Sequence, residues 1–318
     1  MAGSAIRLGI VMDPIANISP KKDTSLAMLL EAARRDYDIA YFEQADLWLD
    51  NGIAYGLAKS LKVTDDANDW FALEGSRRQA LGDLDVILMR KDPPFDMEYI
   101  YTTYILDRAE AQGALIVNRP GSLRDMNEKA YTAWFADFCP PTLITRSMQQ
   151  IREFAAEHEK IVVKPLDGMG GRSIFNVRIG DSNMNVIAET LTDFGLRYAM
   201  AQKFVPDIAA GDKRIIVIDG HVMPYLLARV PSPEDGRGNL VMGAIGEGRE
   251  LSARDHEIAA TVGPVLRDNG VLFAGLDVIG NYLTEINVTS PTGVRELDRQ
   301  FGTNLCGLLF DAVESRLA

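Results

Sequence analysis

The run 161-IVVK-164 ends an apolar stretch in a lysine, and glycines follow at Gly168, Gly170 and Gly171. A lysine at a strand end fixes one ammonium in place. The glycines free the following backbone N–H groups to wrap around an anion, at a cost in chain entropy. Because the lysine precedes the glycines, the pattern is neither GxxxxGK[ST] nor a GxGxxG that opens a helix. Taken alone such a cluster is more often a turn than a phosphate clamp. A second constellation lies in 275-GLDVIGNYLTEINVTSPTG-293. Asp277 and Glu285 stand in apolar strand segments, where an unpaired carboxylate is expensive. Glu285 and Asn287 are two apart and so project from one strand face. Two carboxylates and an amide oxygen make an all-oxygen set suited to Mg2+, which takes its remaining ligands from water and phosphates.

Register decides whether this set can assemble. Gly280-Asn281 marks a hairpin. A two-residue loop would pair Asp277 with Thr284 and place the acids on opposite faces. A three-residue loop, Gly280–Tyr282, or a bulge would pair Asp277 with Glu285. The competing reading is a salt-bridged sheet, but no Lys or Arg alternates with these acids along the segment, which favours a metal. Together the two constellations point to a nucleotide phosphate tail held by Lys164 and its glycines, bridged by magnesium on Asp277, Glu285 and Asn287.

The elements that position these groups follow from periodicity. 6-IRLGIVMDP-14 reads as a buried strand stopped at Asp13-Pro14, and 23-DTSLAMLLEAARRDYD-38 as a capped helix. Further strands are expected at 39-IAYFEQ-44, 84-LDVILMRKDPPF-95 and 114-ALIVN-118. Strands alternating with helices give a parallel sheet, with ligands expected beyond the strand C-termini. A helix over about 124–137 is expected to turn Trp134 and Phe135 to a core. Beyond residue 140 strands follow one another: Ile161–Lys164, Arg197–Phe204, Arg214–Asp219, Met223–Val230 and Leu272–Asn287. That is an α+β pattern with antiparallel pairing. Breaks at Arg119-Pro120-Gly121 and Val205-Pro206 divide the chain into 1–122, 123–205 and 206–318. The stretch 231-PSPEDGRGNLVMGAIGEG-248 has five glycines and two prolines. A loop this long suits a lid, and Arg237 and Arg249 suit one that closes over phosphate.

Composition narrows the classes of function. The 318 residues carry 33 basic and 45 acidic side chains, a net charge of −12 and a pI near 4.8. No electrostatic footprint for a nucleic-acid backbone is present. Two cysteines, Cys139 and Cys306, make neither a disulfide framework nor a zinc site, and the three histidines are isolated. No apolar run is long enough to span a membrane, and Met1–Ser4 lacks the features of a signal peptide, so a cytoplasmic protein is expected.

The blocks 164-KPLDGMGG-171, 212-DKRIIVIDG-220 and 275-GLDVIG…TEINVTSPTG-293 resemble the ATP-grasp ligases. With 9-GIVMDPIANISPKKDTSLAMLLEA-32, 87-ILMRKDPPFD-96 and 118-NRPGSLRDMNEKA-130, the resemblance narrows to the bacterial glutathione synthetases, from about Ile6 to Ala312. It implies an α/β N-terminal parallel-sheet domain followed by an ATP-grasp fold of two α+β subdomains. It also implies a reaction: ATP phosphorylates the C-terminal carboxylate of γ-glutamylcysteine, and glycine attacks the acyl phosphate. Carried over, Lys129 and Lys164 would contact the ATP phosphates, with Gly168, Met169, Gly170 and Gly171 covering them. Backbone of Gln202, Lys203, Phe204 and Val205 would read adenine, and Asp212 the ribose. Asp277, Glu285 and Asn287 would hold two Mg2+ ions, with Mn2+ the alternative. Arg214 and Arg229 would steady the acyl phosphate or the substrate carboxylate, and Pro231–Glu247, carrying Arg237, matches the family's mobile loop. Asp13 and Lys21-Lys22-Asp23 are candidates for the dipeptide pocket, as are Ser290, Pro291, Thr292 and Gly293. Relatives are tetramers or dimers, so a homo-oligomer is implied. Two rivals share parts of this pattern: another ATP-grasp carboxylate–amine ligase, and a nucleotide-binding module that no longer turns over.

Overall fold

The computed structural model describes residues 5–168, 171–231 and 245–318, whose strands form three sheets. The first sheet uses β1 (Arg7–Val11), β2 (Asp38–Phe42), β3 (Leu47–Asp50), β4 (Ile53–Val63), β5 (Phe71–Ala80), β6 (Val86–Met89) and β7 (Leu115–Val117). Its order is β3-β4-β2-β1-β6-β7, with β5 on β4. Only β2-β1-β6-β7 is parallel. β3, β4 and β5 extend it with antiparallel pairs, so the sheet is mixed rather than parallel throughout. Helices α1 (Thr24–Arg34), α2 (Met97–Ala111) and α3 (Pro120–Asp125) connect it. Asp23 caps α1 by accepting from the Leu26 N–H at 2.7 Å.

The helix expected over 124–137 is broken. α3 stops at Asp125, and a 3-10 stretch, Ala130–Phe138, kinks at Phe135. Phe135 is buried, but Trp134 is 70% exposed and stacks on Tyr131 instead of facing a core.

The second sheet, β8 (Thr142–Thr145), β9 (Lys160–Pro165), β10 (Phe175–Arg178) and β11 (Ala199–Lys203), is antiparallel in the order β10-β9-β11-β8. With α4 (Met148–His158) and α5 (Met184–Thr192) it closes its own core around Ile151, Val163 and Ala188. The third sheet orders β14-β13-β12-β15-β16, all antiparallel. Its strands are β12 (Asp212–Ile218), β13 (His221–Val230), β14 (Ile245–Glu250), β15 (Phe273–Ile279) and β16 (Tyr282–Asn287). α6 (Ala253–Asp268), α7 (Val294–Phe301) and α8 (Leu305–Leu317) pack on it. Two hydrophobic clusters each mix residues of the first and third sheets, Met89 with Leu276 and Leu88 with Leu227. Those two sheets therefore share a core, and the second sheet stands on a separate one. Residues expected in an irregular stretch through Gly248 instead enter β14 at Ile245, paired to Val230. The rest of the expected lid, with Arg237, lies outside the described residues, as do Met169 and Gly170.

Asn118 joins the first and third sheets. Buried at the end of β7, its amide donates to the Phe273 and Val288 carbonyls at 2.7 and 2.6 Å, and its oxygen accepts from the Leu272 and Phe273 N–H groups. Asn118→Ala orphans four buried backbone groups. We expect a loss of about 3 kcal/mol in urea unfolding, since each unpaired group costs roughly 1–3 kcal/mol before water compensates.

Glu31 joins α1 to the C-terminal helix by accepting from Arg34, Arg35 and Asn304, while Arg35 reaches Asp311 and Glu314. Arg34 foremost, with burial opposing, holds its carboxyl down at about 2 from an ordinary 4.5. The folded pKa is depressed, so this stabilisation is present above about pH 4.5 and disappears as pH falls through about 2. Melting temperatures should drop across that window, and Glu31→Gln should flatten the drop. No helix among the described residues is long and apolar enough to cross a membrane.

Candidate functional site

The hairpin resolves the register question with a bulge. Ile279 pairs with Tyr282 across the tight Gly280-Asn281 turn, where Gly280 takes φ +58°, and Val278 pairs with Leu283. Thr284 is then skipped, so Asp277 faces Glu285 and Gly275 faces Asn287. The extra residue shifts the pleat by one and puts both acids on one face. The Thr284 hydroxyl donates to the Asp277 carbonyl at 3.1 Å, tying the bulge down.

Around this face the chain collects charge from the second and third sheets and from the segment that follows α3. Lys164, at the end of β9, lies 3.3 Å from Glu285 Oε1, and Lys129 lies 3.7 Å from the same oxygen. Lys129, 2% exposed, also pairs with Glu128 and donates to the Gly168 carbonyl at 2.7 Å. The Ile286 N–H donates to the Glu128 carbonyl at 2.7 Å, so the 127–129 segment is stitched to β16. Burial pushes Glu285 up, but Lys129 and Lys164 together hold it below its ordinary value. Burial and the Glu285 charge push Glu128 up. Burial pulls Lys129 down, and Glu285 and Glu128 more than restore it.

Asp277 is not free of cations, as its sequence neighbours suggested. Arg214 lies directly opposite it on β12. Its Nε and Nη2 reach Asp277 Oδ1 and Oδ2 at 2.5 and 2.9 Å, and Arg229 Nη2 reaches Oδ2 at 2.8 Å. The two arginines overcome burial and hold the Asp277 carboxyl well below its usual range. Gly275 makes room for this pair, because a Cβ there would stand 2.7 Å from Arg214 Cδ. Asp212 pairs with Arg229, yet burial and the Asp277 and Glu285 charges raise it to about 7. Asp212 Oδ1 and Arg229 Nε are buried with no partner among the described residues.

The expected adenine segment ends β11. The Lys203 N–H donates to the Pro141 carbonyl at 2.9 Å, and Phe204 N–H to Lys160 at 3.0 Å. Lys203 thus faces Pro141 in the β8–β11 register. Proline has no N–H to return the bond, so the Lys203 carbonyl is left as an open acceptor. Gln202 is buried and its amide donates to the Thr142 hydroxyl at 3.1 Å.

At the other end, Asp13 pairs with Lys91 at 3.0 Å and accepts from the Asp92 N–H. The loop after β16 runs between these groups and Asp277: Arg90 donates to the Pro291 carbonyl at 3.1 Å and Arg214 to Thr292 at 3.4 Å. Gly293, at φ +111°, then opens α7. Ser290 belongs to the same loop. Lys129, Lys164 and Gly168 are therefore gathered around Glu285, and Asp212, Arg214 and Arg229 around Asp277, and the Asp277–Glu285 cross-strand pair brings the two clusters side by side. Asn287 joins through its amide on the Gly275 carbonyl at 3.4 Å, and Gly171 lies just past the described end of the glycine loop, at φ +75°. Sequence reasoning missed Glu128 and Pro141. The first sits in an ordinary-looking Glu-Lys doublet, and the second matters only through its cross-strand partner.

Magnesium fits this donor set. An ionised carboxylate offers about four acceptor sites. Arg214 and Arg229 leave one on Asp277 Oδ1, beside Glu285 and the Asn287 amide oxygen. No cluster of three His, Cys, Asp or Glu among the described residues closes a shell by itself. An open set of this kind suits an ion whose other ligands are phosphate and water.

Two family models match in sequence order. The prokaryotic glutathione synthetase N-terminal domain covers residues 6–124, and the ATP-grasp domain of the same family covers 128–302. The glutathione synthetase of Salmonella typhi is 58% identical over 313 residues, 98% of this chain and 99% of that protein. That of Escherichia coli K12 is 56% identical over 312 residues, again 98% and 99%. Among solved structures, the D-cycloserine synthetase DcsG superposes with a TM-score of 0.69 at 14% identity, covering 98% of this chain and 100% of that one. The ATP-grasp ligase PsnB with its minimal precursor gives 0.65 at 18%, covering 98% and 99%. These two likenesses speak for the ATP-grasp fold alone. With both domains matched over nearly its whole length, the chain belongs to the prokaryotic glutathione synthetase family.

Proposed function

We infer that this chain is an ATP-dependent carbon–nitrogen ligase that joins γ-glutamylcysteine to glycine, giving glutathione, ADP and phosphate. The observation that carries the reading is the buried network of Lys129, Lys164, Arg214 and Arg229 interleaved with Glu128, Asp212, Asp277 and Glu285. Forming an acyl phosphate brings two anions together, and fixed cations in a dry site offset that repulsion with little covalent help from the protein.

In the division of labour we propose, residues 1–122 hold the dipeptide, 123–205 cover the nucleotide, and 206–318 carry the metal strand. Lys129 and Lys164 hold the phosphates beside Gly168 and Gly171. The open Lys203 carbonyl and the Val205 N–H read adenine, with Gln202 and Phe204 framing them. Asp212 Oδ1 takes a ribose hydroxyl. Arg229 Nε and Arg214 hold the reacting carboxylate and then the acyl phosphate. Asp277, Glu285 and Asn287 hold two Mg2+ ions, which when bound withdraw charge from the transferring phosphoryl group. Asp13 and Ser290–Gly293 line the dipeptide. The assembly we propose is a cytoplasmic homo-oligomer acting on small molecules.

The test is ADP release by the purified protein with Mg-ATP, given both substrates together and each alone. Release that needs both supports the ligase. ATP-induced thermal stabilisation without release in any combination refutes it.

A further inference from the structure

A cleft of about 440 Å3 lies between α1 and α7, and no residue of the clusters around Asp277 and Glu285 lines it. α1 gives it Leu30, Glu31 and Arg34, which share one helix face. α7 gives it Arg295, Asp298 and Arg299, which share another. Asp65, from the connection between β4 and β5, completes the wall. Space of that size holds roughly fifteen waters, room for an organic molecule and not just for a lone ion.

The lining carries three arginines and three carboxylates, but their hydrogen bonds are unequally spent. Both Glu31 oxygens accept from Arg34, one of them also from Arg35 at 2.8 Å and the other from Asn304 at 3.2 Å. Asp298 Oδ1 accepts from the Thr303 hydroxyl and the Leu305 N–H at 2.7 and 3.1 Å. Asp65 accepts from Arg295 Nη2. A guanidinium has five N–H donors. Arg34 spends its Nε and Nη2 on Glu31, and Arg299 spends Nη2 on the Lys21 carbonyl at 2.9 Å. Nη1 of both is left without a partner among the described residues. The two side chains are exposed, one on each wall of the cleft, where a ligand can reach them. Each can take a carboxylate without giving up the bonds it already makes. The cleft is also tied to the reaction site. α7 starts directly after the 290–293 loop, and α1 is capped by Asp23 at the end of the 21–23 run, the two segments expected along the dipeptide. Arg299 reaches from one of these helices to the segment that opens the other.

We propose that this cleft binds a small organic anion with two carboxylates, one held by Arg34 and the other by Arg299, and that its occupancy is felt at the dipeptide end of the active site. Two sources offer that chemistry. Glutathione, the product under the ligase reading, carries two carboxylates, and so does a free dicarboxylate such as glutarate. The binding half stands without the ligase reading, and the coupling half rests on it.

Isothermal titration of the full chain with glutarate, glutathione and acetate, at ionic strength matched with sodium chloride, reads the binding half without turnover. Glutarate should bind on the order of tenfold more tightly than acetate, which meets only one wall. Arg34→Gln removes a donor, and Leu30→Glu sets a carboxylate among the arginines. Each should weaken glutarate on the order of tenfold and leave ligand-free ADP release within about twofold of the parent's. The share of glutathione binding that both variants lose is the share held in the cleft. A measurable share makes the product a ligand of the site, and its absence assigns the site to free dicarboxylates. Acetate binding as tightly as glutarate, equal binding in parent and variants, or no binding of either dicarboxylate overturns the proposal. In steady state, saturating glutarate should shift KM for γ-glutamylcysteine at least about twofold more in the parent than in Leu30→Glu, a modest coupling energy. Equal shifts in the two overturn the coupling. A chain that binds glutarate in the cleft yet releases no ADP with both substrates refutes the ligase reading and leaves the site standing.

Discussion

Glu285→Ala should reduce ADP release by on the order of a thousandfold or more, the scale of losing a fixed charge-stabilising group at a phosphoryl transfer centre. The effect is large because Glu285 serves two partners. One of its oxygens faces Lys164 and Lys129, and it stands beside Asn287 and opposite Asp277 in the metal set. The direction of the binding effects separates these roles. Without Glu285 the two lysines lose a competitor for the triphosphate, so metal-free ATP should bind as tightly as before or more tightly. The additional stabilisation that Mg2+ confers should disappear. Thermal shift with ATP, with and without Mg2+, reads both. A parallel loss of metal-free and metal-dependent binding would mean that the site had collapsed, and would remove Glu285 from the metal set. Lys129 keeps Glu128 as its counter-ion, but the buried Lys164 loses its only ion-pair partner among the described residues, so some stability should be lost unless ATP is bound.

Much of this site was legible because it rests on local periodicity. Glu285 and Asn287 share a face by strand alternation alone, and the requirement that Asp277 meet Glu285 forces an irregularity, which the structure supplies at Thr284. What stayed hidden depends on pairing across the sheet. Arg214 is sixty-three positions from Asp277 in the chain yet directly opposite it in the β12–β15 ladder, so inspection along the segment found no cation. The antiparallel extension of the first sheet was missed for a different reason. Over 53-IAYGLA-58, the first half of β4, the buried positions are small, Ala54, Gly56 and Ala58, while Ile53 and Leu57 are exposed, and Leu61 is the one large apolar residue the strand buries. The hydrophobic signal is thus inverted relative to burial. Gly56 must be small, because a Cβ there would sit 2.6 Å from the Phe42 ring. Trp134 misled in the opposite sense, its size suggesting a core that the kink at Phe135 turns away from it.

Arg214→Met is the other substitution with a large expected effect, and a second change divides that effect in two. The guanidinium satisfies both oxygens of a carboxylate that is 3% exposed, and its removal leaves Asp277 to Arg229 alone. Breaking a buried pair from one side costs roughly 3–5 kcal/mol. The stability loss in urea unfolding should therefore be about 4 kcal/mol, with turnover at or below a thousandth of the parent's. Replacing both members, Arg214→Met with Asp277→Leu, removes the orphaned charge and should recover most of the lost stability, because apolar groups of similar volume often substitute for a buried ion pair without penalty. Arg229 keeps Asp212 as its counter-ion in that background. Turnover should not recover. If Arg214 and Asp277 are a structural clamp and nothing more, the double variant regains activity together with stability, and the acyl phosphate would have to be held by Arg229 without Arg214. If the pair serves both purposes, a stable and inactive protein results, because charge buried at this depth is retained for the reacting anions and not for the fold.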